Sequence, residues 1–152
     1  MRDLAAIESV YNEIDAVFER SRADAQNAGD NGAVKKVEDK QRFNDQAYFI
    51  LCWGQLETAI DEKCRDVIRM GRQHSHWTVR RAWELYNPDD KRLSGLSFED
   101  RAVLVIEPGE PRKITIQYYN LRNQIAHGRL QANRIDVSKV IADLYVIQGS
   151  LR

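Results

Sequence analysis

Much of what usually betrays a function is scarce in this chain. Of 152 residues, two are cysteine, three proline and three histidine, and Lys plus Arg balances Asp plus Glu at 23 each. That balance leaves no global field to draw the protein onto a polyanion or a membrane, so any such binding has to come from a local cluster. Cys52 and Cys64 fall on one predicted helix, where 12 residues at about 1.5 Å rise place them roughly 18 Å apart, far beyond disulfide reach of about 7 Å. They read as buried free thiols. There is no CxxC pair, and His74 and His76 have no cysteine neighbour, so neither a metal site nor a cofactor is expected. No apolar run approaches the roughly 18 residues of a membrane span, and the N-terminal stretch is too acidic for a signal peptide. A soluble, cytoplasmic protein without a membrane partner is expected.

What is present is helix. A content of 43% hydrophobic and 30% charged residues is a globular balance, and the length suits a single domain over residues 1–152. Leu4, Ile7, Tyr11, Ile14 and Phe18 alternate steps of three and four, which predicts an amphipathic helix over 4–18. AGDNGA at 28–33 breaks it. A long helix is predicted over 34–70, with Phe49, Trp53, Leu56, Ile60, Cys64 and Val67 as its stripe and Gly71 as its stop. A short helix over 77–86 should end before Asn87-Pro88. Ser97 and Asp100 form a capping box that opens another helix, and PGEP at 108–111 closes it. Helices over 112–128 and 138–148 complete an all-α, up-and-down bundle of four principal helices with one or two short ones.

The helix over 112–128 carries NLRNQIAHGR and has two apolar faces. At about 100° per residue, Ile114, Tyr118, Leu121 and Ile125 form a core stripe, while Ile116, Tyr119, Asn123, His127 and Leu130 lie roughly 130–210° away. A second apolar face calls for a second helix against it, from this chain or from a partner subunit. Asn123 and His127 are neighbours on that face, whereas Arg122 lies about 140° from His127. One helix makes a poor composite site from these three side chains. Two copies about a two-fold axis make a better one, because symmetry brings two arginines and two histidines into one cleft. Such a cleft suits metal-free phosphodiester cleavage of RNA. Imidazole moves the proton of the ribose 2′-OH or of the leaving oxygen, and guanidinium steadies the phosphate oxygens.

The segment LRNQIAHG resembles the R-N-x3-H signature of the HEPN superfamily, with Arg122, Asn123 and His127 on the three motif positions. The likeness is sharp over about eight residues, and elsewhere extends only to the helical layout. The resemblance implies a dimeric α-helical domain and, for many members, a metal-independent endoribonuclease that leaves cyclic phosphate ends, in a toxin or anti-phage setting with a candidate inhibitory protein partner. Members modified by nucleotidyltransferase antitoxins often carry tyrosine two residues after the histidine. Here that position is Arg129, which disfavours this subclass. The family also tends to place an acidic or polar residue on an early helix near the site, for which Glu57 is the candidate, with Asp61 behind it.

Plainer readings stand beside these. His74 and His76 read as exposed loop residues, and Trp53 and Tyr48-Phe49 as core. Tyr119 reads as an interface residue or a base-stacking surface. The cluster Arg69, Arg72, Arg80 and Arg81 is ordinarily a solvated face, yet with Arg129 it is the best local candidate for following an RNA backbone. Two rivals to the ribonuclease are a non-catalytic HEPN module that binds a nucleotide or a protein, and a helical adaptor or antitoxin-type domain. The adaptor predicts that the second face is covered within the chain.

Overall fold

The computed structural model describes residues 1, 3–90 and 92–152. Those residues are all-α, with four principal helices and two short ones: α1 (Leu4–Asn27), α2 (Asn31–Arg72), α3 (Trp77–Trp83), α4 (Phe98–Val105), α5 (Glu110–Ala126) and α6 (Val137–Gly149). The only pairing of extended backbone among them is an isolated antiparallel bridge, Ile106 with Leu151.

Helix boundaries follow the local chemistry, with informative exceptions. α1 runs past residue 18 to Asn27 and stops where Gly29 adopts a left-handed φ of 68°. α4 carries the capping box: the Ser97 side chain accepts from the Asp100 backbone N–H, and the Asp100 carboxylate accepts from the Ser97 backbone N–H. The short helix expected over 77–86 ends sooner, at Trp83. Gly71 is not a stop, because α2 continues through it to Arg72. Its role is close approach: a Cβ there would overlap the Trp83 ring. Glycine is needed for room at this position.

The chain divides into two compact units. The first comprises Met1–Gln55 and Tyr119–Ala142. Its core gathers Leu4, Phe49, Cys52, Trp53, Val137 and Ile141, each at most 2% exposed. Fully burying side chains of this size contributes about 1.5–3 kcal/mol apiece. Tyr11 meets Tyr48 edge-on with ring centroids 5.2 Å apart. Unusually for a core, Gln41, Asp45 and Gln46 are buried as well.

The second unit comprises Leu56–Tyr118 and Asp143–Arg152. Leu56, Ile60, Cys64 and Ile68 line its stretch of α2, so the stripe ends on Ile68 and the expected Val67 is only half-buried. Phe98, Ala102, Val105, Leu144 and Ile147 are also buried in it. Arg101 pairs with Asp61, and the Tyr118 hydroxyl donates to Asp143 Oδ2 at 2.5 Å. Cys52 and Cys64 are buried free thiols. Burial pushes them up to about 11 and about 12, so neither is a ready nucleophile.

Candidate active site at the end of α5

α5 starts beside Pro111, whose fixed φ and missing N–H suit a helix's first turn. Thr115 is its one fully buried residue, with its hydroxyl donating back to the Pro111 carbonyl at 2.8 Å. The expected core stripe of Ile114, Tyr118, Leu121 and Ile125 is half-buried throughout. Arg122 lies seven residues from Thr115, almost two full turns, and so shares its side of the helix. It is half-buried there.

The helix ends two residues sooner than the sequence predicts, and the way it ends places the histidine. Gly128 takes a left-handed φ of 78°. Its N–H donates to the Ile125 carbonyl, and the Arg129 N–H donates to the Gln124 carbonyl, both at 2.9 Å. This paired return of the chain is a Schellman motif, which makes His127 the C-cap residue and turns the backbone away just after it. His127 and Arg129 are both exposed. The helix C-terminus carries partial negative charge from unpaired carbonyls, an end that favours cationic side chains such as Arg129.

An open depression of about 730 Å³ lies here, lined by Asn120, Asn123, Gln124, His127 and Arg129. No carboxylate is among its lining groups. The structure therefore brings Asn123, His127 and Arg129 together around one hollow, while Arg122 stands behind them and donates from Nη1 to Asn123 Oδ1 at 3.1 Å. Asn123 is the link between the half-buried arginine and the open hollow.

The supporting candidates are placed otherwise. Tyr119 packs against Trp53 with ring centroids 6.0 Å apart, so part of the second face is covered within the first unit. Glu57 and Asp61 belong to the second unit, where Asp61 is the ion-pair partner of Arg101. Arg69, Arg72, Arg80 and Arg81 are exposed in that unit as well. Arg69 pairs with Asp66 and Asp89, each at 3.3 Å, and Arg81 lies over the Trp77 ring. His74 and His76 are exposed. Among the described residues no three His, Cys, Asp or Glu side chains gather as a metal-ligand set.

The sequence reading missed the loop that follows the motif. Gln131 and Gln46 pair reciprocally, backbone N–H to Oε1 at 3.0 Å and Nε2 to backbone oxygen at 3.4 Å, and Arg42 Nη1 donates to the same Gln131 oxygen at 3.0 Å. Three residues on, Arg134 grips Asp45 with Nε at 2.7 Å and Nη2 at 3.2 Å. It also reaches Asp15 at 2.7 Å and Glu19 at 3.3 Å. The Tyr11 hydroxyl donates to Asp45 Oδ1 at 3.0 Å. Gln41 Nε2 bridges Asp15 and Glu19 at 2.6 and 2.8 Å, and this amide, with Arg22, holds the Glu19 carboxyl below its usual range. The available signal was the spacing Tyr11, Asp15, Glu19 with Gln41, Asp45, polar side chains four apart near the core stripes of two helices.

Comparison with protein-family models, with curated proteins and with solved structures finds no match for this chain.

Proposed function

We propose that the chain is an HEPN-type, metal-independent endoribonuclease that works in the cytoplasm as a homodimer. The observation that carries this reading is the meeting of Asn123, His127 and Arg129 around a single open depression free of carboxylates. An imidazole there can take the proton of a ribose 2′-OH as the oxygen attacks the neighbouring phosphorus. The bond from phosphorus to the 5′-oxygen breaks, and that oxygen takes a proton, leaving a 2′,3′-cyclic phosphate and a 5′-hydroxyl. With two copies of the chain, one His127 is base and the other acid. Arginine holds the non-bridging oxygens, whose charge grows in the transition state. Arg129 lines the depression and is assigned this role there, and Arg122 acts across the two-fold axis, with Asn123 orienting it. An inhibitory protein partner covering this hollow and the 52%-exposed Leu130 beside it suits a toxin or anti-phage effector.

RNA incubated with the purified protein in EDTA tests the reading. Wild type should produce cyclic-phosphate ends. Arg122→Ala and His127→Ala should each lower the rate by about 10²–10⁴-fold while RNA affinity changes little. A folded wild type that leaves RNA intact, or two variants that cleave as wild type does, would overturn it.

The packing of Tyr119 on Trp53 favours a second reading, a non-catalytic module or adaptor whose second helix face is partly occupied within the chain. It predicts nucleotide or protein binding at the depression without cleavage. The same assay, run beside a binding measurement, separates the two.

A further inference from the structure

We infer that Arg134 is a positioning residue for the His127–Arg129 segment, clamping the loop that leaves the depression onto α1 and α2. The inference rests on the reading of His127 as the catalytic base or acid and extends it to a residue outside the depression. All of the atoms concerned belong to the first unit.

The loop over 127–136 has no regular hydrogen-bond ladder after the Schellman turn, so its path is set by its side-chain ties. They act at two places. At mid-loop the Gln131–Gln46 pair is a neutral tie, and Arg42 Nη1 donates to the same Gln131 oxygen at 3.0 Å. Arg134 is a charged tie close to the start of α6, and it is the stronger because Asp45 is fully buried. A carboxylate taken out of water must be compensated where it stands. Asp45 has two such partners in its surroundings: Tyr11 satisfies one oxygen, and the Arg134 fork supplies the cation. Asp15 and Glu19 add two more acids around the same guanidinium. The loop therefore cannot lift away without stranding a buried negative charge beside two others.

The length of the loop makes this matter for His127. Arg134 lies seven positions after it, and Gly128 within that span is in the left-handed region. With Arg134 fixed, the Schellman turn has a fixed exit. Released, the turn loses the far end of its tether, and the last residue of the helix is the first to fray. Reach also decides against lysine as a substitute. A single ammonium can meet one carboxylate well, but it cannot make the two-pronged contact to Asp45 while also meeting Asp15.

Arg134→Ala strands Asp45 and risks unfolding, so the deciding variant is the double replacement Asp45→Asn with Arg134→Gln, which removes both charges together. Its fold is checked by thermal unfolding and by amide exchange in α1 and α2, which should match wild type. Amide exchange over 128–135 should then rise at least about tenfold, and the cleavage kcat should fall by a similar factor with RNA Kd within about twofold. Arg134→Lys should lie between wild type and the double variant in both readouts. Unchanged loop exchange in a folded double variant overturns the inference, as does loosened exchange with an unaltered kcat. If wild type does not cleave RNA, the proposed function fails on its own. The exchange arm, together with the line width of the His127 ring proton signals, still decides whether Arg134 positions that segment.

Discussion

Tyr11 keeps its phenol proton well past the ordinary tyrosine value of 10.0, because burial disfavours the phenolate and the Asp45 carboxylate stands against it. The chemistry of this single residue gives a testable pH dependence. The folded chain holds the Tyr11 proton more tightly than the unfolded chain does. The resulting stability is fully present below about pH 10 and is lost as pH rises beyond it, when the unfolded phenol ionises and the folded one does not. Tyr11→Phe removes a hydrogen bond to a charged group, a loss of about 1.5–3 kcal/mol at pH 7. The difference between wild type and Tyr11→Phe should shrink as unfolding is measured at successively higher pH above 10. A gap that stays constant to pH 11 would mean that the phenol is not held in this way. The same group explains the cost of disturbing Arg134. Removing one partner of a buried pair costs about 3–5 kcal/mol. Arg134 belongs at the lower end, because its side chain is 40% exposed and its charge partly screened by solvent.

Among the helices, what could be read from the sequence is what local chemistry decides. The Ser97–Asp100 capping box joins residues three apart and needs nothing from elsewhere in the chain. The pattern of Arg122, Asn123 and His127 is equally local, so that the three lie at the end of one helix was legible. What placed His127 at the cap was Gly128, the same residue that could have been read as the stop. Gly71 shows the opposite error. A glycine after a long apolar stripe suggests a C-cap, yet its real cause is a ring twelve residues further on, which no local pattern announces. Arg134 was illegible for the same reason at greater range, since its partners Asp45 and Asp15 lie 89 and 119 residues away. The end of α3 belongs with these. Asn87-Pro88 sets only an outer limit, and the helix stops earlier, at the tryptophan that packs on Gly71. Gly71→Ala therefore sets two effects against each other. Helix propensity favours alanine by up to about 1 kcal/mol, less near a helix end, while overpacking against a rigid ring costs about 1–3 kcal/mol. The expected net result is destabilisation of about 1–2 kcal/mol in urea unfolding. Replacing Trp83 with Ala in the same chain should convert Gly71→Ala to neutral or stabilising, and two additive effects would refute the contact.

At the scale of the whole molecule, the proposed mechanism calls for a second copy. Arg122 is half-buried, whereas His127 stands exposed on the depression, so one chain offers the imidazole with Arg129 but without Arg122 on the same hollow. Leu130, 52% exposed and adjacent in sequence to Arg129 of that hollow, is apolar surface that the proposed partner subunit would cover. A homodimer is expected by sedimentation at tens of micromolar, and subunit mixing asks whether the pair is functional. If one His127 is base and the other acid, a dimer with a single His127→Ala subunit is inactive. Wild type refolded together with an equal amount of His127→Ala should then retain roughly a quarter of the activity, the fraction of dimers with both histidines under random pairing. Chains that act alone would retain about half. Titrating the variant distinguishes a quadratic fall from a linear one at every ratio. A linear fall would place the whole reaction within one chain, where Arg129, already on the depression, would have to do the work assigned to Arg122.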